Sequence, residues 1–101
     1  MNDVYVLDYV RTPRGKASPK GALHHRSALE LITSLQDALV VRSALDPAQV
    51  DDVVLGVASQ VEEQGADLAR TAVLLAGWGD GVPGVTINRF CASGIDAVAT
   101  A

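Results

Sequence analysis

The chain has 101 residues, of which 49% are hydrophobic, and a formal net charge of −4, so one small core is within reach. The acidic balance argues against a general nucleic-acid binder, and no apolar run approaches the roughly 18 residues that cross a bilayer. A single cysteine excludes an internal disulfide, and Met-Asn-Asp-Val leads into a strand-like run instead of the basic and apolar regions of a signal peptide, so a cytoplasmic location is expected.

Val4-Tyr-Val-Leu-Asp-Tyr-Val10 is rich in β-branched and aromatic residues and apolar on both faces, which predicts a strand covered on each side. The glycine, proline and lysine content of Thr12 to Leu23 predicts a long loop. Five of the eight Lys and Arg residues, Arg11, Arg14, Lys16, Lys20 and Arg26, fall between positions 11 and 26 with no acid among them. Such a stretch can meet phosphates or simply be a solvated surface loop.

Ser27-Ala-Leu-Glu30 has the form of a capping box and predicts a helix start. Ala28, Ile32, Leu35 and Leu39 then follow helical spacing, and Asp46-Pro47 marks the end. Asp51 to Val57 predicts a second strand. Asp67 to Gly77 predicts a second helix with Leu68, Ala72, Leu75 and Ala76 on one face. Four glycines between Gly77 and Gly84 mark a turn, Val85 to Phe90 a third strand, and Ser93 to Ala101 a third helix.

The order βαβαβα implies the α/β class, with a mostly parallel sheet and helices on its faces. In the third helix only Asp96 and Thr100 are suited to water, so it is expected to be buried on every side. Three strands and two other helices cannot surround it. The chain is therefore expected to be an incomplete piece, or to borrow cover from another chain.

Cys91 lies where the third strand turns into the third helix, at the carboxyl edge of the sheet, where open α/β folds bind ligands. A nucleophile on such a turn faces the free amides of the helix's first turn, and Ala92, Ser93 and Gly94 leave room beside the sulfur. The helix terminus favours a thiolate by only about 0.3–1 kcal/mol, so a base is still needed. His24 and His25 are the candidate bases present, and both sit in the basic loop far along the sequence. The other reading is a small buried hydrophobe, the common fate of a free cysteine. Local chemistry leaves both open.

NRFCASGIDAV, from Asn88 to Val98, resembles the nucleophile motif of the thiolases, NRxCxSG followed by a small-residue helix. VRTPRGK at Val10 to Lys16, DDVVLGVASQ at Asp51 to Gln60 and GADLARTA at Gly65 to Ala72 agree with the same family in type and order. The resemblance implies that residues 1–101 are the first part of the N-terminal domain of a layered αβαβα fold. It also implies that the helix after the cysteine is sandwiched between two half-sheets.

The activity it implies is cleavage of a 3-ketoacyl-CoA by CoA, or the reverse Claisen condensation, as in degradative fatty acid metabolism. Cys91 matches the acyl-accepting nucleophile, while Asn88, Arg89, Ser93 and Gly94 are read as shaping the turn. The family's activating histidine and second cysteine come from later sequence, so this stretch alone is expected to be inactive. No tightly bound cofactor and no metal are implied, with coenzyme A entering as substrate. A homodimer or homotetramer is implied, with residues 85–90 at the interface, and Arg14, Lys16 and Lys20 become weaker phosphate contacts than their charge suggests. Two alternatives stay open: another condensing enzyme of the superfamily, such as a ketoacyl synthase, and a non-catalytic thiolase-like subunit or interaction module.

Overall fold

The structure, a computed structural model, describes residues 2–101. Regular structure runs in the order α1 (Ala28–Ser43), β1 (Val53–Gly56), α2 (Leu68–Leu75), β2 (Gly84–Ile87) and α3 (Ser93–Thr100), with short 3-10 turns at Pro47–Gln49 and Glu62–Gln64.

The capping box forms as its residues dictate. Ser27 Oγ accepts from the Glu30 amide at 3.1 Å, and Glu30 Oε2 accepts from the Ser27 amide at 2.7 Å. The helix ends where Ala44 adopts a left-handed φ of 49°. Asp46 then accepts from the Ala48 amide at 3.1 Å and opens the next turn.

β1 and β2 pair in parallel, from Val53 opposite Gly84 to Gly56 opposite Ile87, with α2 in the connection between them. Asp67 caps α2 with an oxygen that accepts from the Arg70 amide at 3.2 Å and from Thr86 Oγ1 at 3.1 Å. Thr86 Oγ1 in turn accepts from the Ala69 amide at 3.2 Å, so the helix start is bonded to the strand beneath it. Gly77, at φ 74°, closes the other end, with its amide on Leu74 O and the Trp78 amide on Val73 O, both at 3.1 Å.

Side chains alternate across a strand, and paired residues of parallel strands share a face. Thr86 meets α2, whereas a Cβ built on Gly56 points at the first residues of α3. The helices α2 and α3 therefore cover opposite faces of the two-stranded sheet. The core is Val57, Leu68, Ala69, Ala72, Val73, Val82 and Ala97, most of it supplied by α2.

Four expectations are corrected. Val4 to Val10 is not a strand among the described residues. It pairs with neither strand, and Val4, Tyr5, Val6, Leu7 and Tyr9 are 74–93% exposed. A strand exists through its ladder, and this segment is held instead by Asp8, which accepts from Ser43 Oγ at 2.9 Å and pairs with Arg42 at 3.1 Å. The third expected strand stops at Ile87, because Asn88 to Phe90 turn. On α2 the buried face is Leu68, Ala69, Ala72 and Val73, which leaves Leu75 about a quarter-turn away and exposed. On α3 only Ser93 and Ala97 are buried, while Ile95 and Val98 are 78% and 75% exposed, because one side of the helix meets the sheet and nothing described covers the other.

Candidate active site

The turn from β2 to α3 is built by its own polar groups. Asn88 Oδ1 accepts from the Phe90 amide at 2.8 Å, the short-range bond that makes asparagine a turn former. The Ala92 and Ser93 amides donate to Arg89 O at 3.0 Å and Phe90 O at 3.1 Å. Ser93 Oγ accepts from the Arg89 amide at 2.9 Å and donates to Phe90 O at 2.6 Å, with Asn88 Oδ1 at 3.4 Å as a second acceptor. Inside this net Phe90 takes a φ of 47°, a conformation bulky side chains resist.

Beneath the turn lies Gly56, the last residue of β1. A Cβ there would stand 2.3 Å from Ser93 O and 2.7 Å from the Gly94 amide nitrogen, so the start of α3 rests directly on the strand. A glycine inside a strand pattern signals such a close backbone approach, and that signal was available in the sequence. The Arg89 and Asp96 side chains pair at 3.2 Å across the outside of the turn. Both ends of that pair are solvated, so it adds little.

Cys91 sits at the tip of this turn and is exposed. The reading of Cys91 as a small buried residue is thereby overturned for this chain. The sulfur stands at the carboxyl edge of the parallel strands, beside the start of α3, whose N-cap Ala92 supplies no side-chain bond. The Gly94 and Ile95 amides have no acceptor among the described residues. Free amides of a first helical turn can hold a thiolate or an oxyanion.

No base is brought to the sulfur, since none of the hydrogen bonds among the described residues reaches Cys91 Sγ. His24 and His25 pack edge to face at 5.5 Å, and His24 lines a cavity of about 460 Å3 with Lys16, Ser18 and Arg26 that Cys91 does not line. Asn88, Arg89 and Ser93 take up the turn-shaping places expected of them. Gly94 differs, because a Cβ there meets nothing within 4 Å. Among the described residues no cluster of His, Cys, Asp and Glu could hold a metal ion, and no helix is long and apolar enough to cross a membrane.

Comparison with known proteins agrees with this geometry. The family model described as "Thiolase, N-terminal domain" matches residues 4–101. The β-ketoadipyl-CoA thiolase of Pseudomonas knackmussii is 49% identical over 100 residues, covering 98% of this chain and 24% of the relative. The 3-ketoacyl-CoA thiolase of Colwellia psychrerythraea is 40% identical over 99 residues, covering 97% and 25%. The crystal structure of the Bacillus anthracis acetyl-CoA acetyltransferase superposes with a TM-score of 0.72 at 40% identity, over 79% of this chain and 20% of that one. The chain thus spans about a quarter of the length of the curated relatives it matches. With the family's N-terminal domain matched from residue 4 to residue 101, the chain belongs to the thiolase family.

Proposed function

We propose that the chain forms the first part of the N-terminal domain of a thiolase-type acyltransferase, and that Cys91 is its nucleophile. The observation that carries this reading is the exposed Cys91 on a tightly bonded turn between a parallel strand and a helix. In the cleavage direction the Cys91 thiolate attacks the keto carbon of a 3-ketoacyl-CoA. The bond between C2 and C3 breaks, the electron pair stays on C2, and the proton given up by the thiol ends there, releasing acetyl-CoA. The acyl group remains on sulfur as a thioester. A second CoA thiol then attacks that carbonyl, forms the shortened acyl-CoA and returns a proton to Cys91. Splitting the reaction at a covalent intermediate replaces one difficult step with two easier ones.

The free amides at the start of α3 are placed to stabilise negative charge beside the sulfur. The base belongs to residues beyond these 101, so the chain by itself is expected not to turn over. Coenzyme A enters as substrate, with no tightly bound cofactor. A reducing compartment such as the cytoplasm suits a working thiol. The sequence NRFC and the names of the relatives support a degradative 3-ketoacyl-CoA substrate, of the kind met in fatty acid β-oxidation. The outer edge of β2 is unpaired among the described residues, which suits pairing with a second copy in a dimer or tetramer. In the complete polypeptide carrying this chain, acyl-CoA should add one acyl mass to the peptide containing Cys91, and Cys91→Ser should abolish both the adduct and thiolysis. Undiminished thiolysis by Cys91→Ser would sink the reading.

A further inference from the structure

We propose that Ser93 is the positioning residue of the nucleophile, its hydroxyl fixing where the Cys91 sulfur stands; this rests on the reading of Cys91 given above. Ser93 is 3% exposed, so its hydroxyl is bonded inside the protein and not to solvent. It spans the turn, accepting from the Arg89 amide at 2.9 Å and donating to Phe90 O at 2.6 Å. Those two groups belong to the two residues that precede the cysteine. Removing the hydroxyl takes the acceptor from the Arg89 amide and leaves Phe90 O with the Ser93 amide alone, and a methyl group can replace neither lost bond.

The same contacts hold Phe90 at φ 47°, which a non-glycine residue leaves when its restraints go. Relaxation at Phe90 swings the next residue, which is Cys91. From below, Ser93 O lies where a Cβ on Gly56 would be 2.3 Å away, so α3 cannot sink toward β1 to compensate. The turn is therefore clamped by the Ser93 hydroxyl on one side and by β1 on the other. Among the described residues Cys91 makes no side-chain hydrogen bond of its own that could hold it in place.

The test uses the complete polypeptide that carries this chain, with acetyl-CoA as the acylating probe. Acetylation of Cys91 is followed by peptide mass, and kcat and KM by thiolysis of acetoacetyl-CoA with CoA. A nucleophile displaced by about 1 Å loses on the order of 100-fold in rate. Ser93→Ala should slow acetylation and kcat by about 10- to 100-fold while KM for CoA stays within about twofold. Ser93→Thr, which keeps the hydroxyl, should recover most of the rate.

The double variant Phe90→Gly with Ser93→Ala accommodates the positive φ without the hydroxyl and keeps the test open should the single variant not fold. It should acetylate about tenfold more slowly than wild type, because glycine permits the turn without fixing it. Acetylation at the wild-type rate in either Ala-bearing variant overturns the proposal. So does a slow Ser93→Ala that Ser93→Thr fails to rescue and whose KM rises with the loss of kcat. Wild-type protein that acquires no acetyl group on Cys91 overturns the nucleophile reading itself, a separate result from any difference among the variants.

Discussion

Gln36 is the deepest residue of α1, 6% exposed, and neither Nε2 nor Oε1 has a partner among the described residues. A buried amide without hydrogen bonds costs about 1–3 kcal/mol relative to a satisfied or solvated one. Gln36→Leu keeps a side chain of comparable size and removes that cost, so it should raise stability by about 1–3 kcal/mol in urea unfolding. A midpoint that stays or falls would show that the amide has a partner in solution. This burial was not legible in the sequence. Ala28, Ile32, Leu35 and Leu39 follow helical spacing, yet all four are only half-buried while Gln36 is buried. Helical spacing gives the direction of a face but not the depth of each residue on it. The cysteine followed the opposite course: its place on the chain pointed to an exposed turn, whereas its residue type pointed to burial.

Helix ends were the most legible elements, because caps are local. Ser27 with Glu30 forms the expected pair, and the Ser27 amide holds the Glu30 carboxylate below the ordinary carboxylate range. A lowered folded value means that the carboxylate's contribution is present above the unfolded value of about 4.3 and is lost as pH falls through the folded one. Thermal melts of wild type and Glu30→Ala should therefore differ by a constant amount above about pH 5, and that gap should narrow in acid. A gap independent of pH would mean that the charge plays no part in the cap. Strands were less legible, because their identity depends on partners distant in sequence. Val4 to Val10 has strand composition and no ladder, and Asn88 follows directly on Val85 to Ile87 while its side chain ends the strand. The contact between Gly56 and Ser93 could be suspected from the glycine, although only the fold shows what approaches it.

Among the described residues, apolar surface is left open on the outer side of α3, at Phe90 and from Val4 to Tyr9. Exposed apolar surface of this kind marks a face that another surface covers. The isolated chain should bind a hydrophobic dye and associate as its concentration rises. Ile95→Lys with Val98→Lys should reduce both effects without lowering the melting temperature, since neither side chain is in the core. Dye binding unchanged by that pair would place the adhesive surface elsewhere, with Val4 to Tyr9 the next to test.

The parallel pairing of Val53 with Gly84 joins residues far apart in the chain. The hydrogen bonds that shape Asn88 to Ser93 join residues at most five apart, so this turn can close without waiting for the rest of the chain. Seating it on Gly56 requires the whole segment between the strands to be looped and ordered first, an entropy cost met before any long-range contact rewards it. The turn around the cysteine should thus close early and be anchored late, and conditions that slow strand pairing should delay its seating on Gly56 more than its closure.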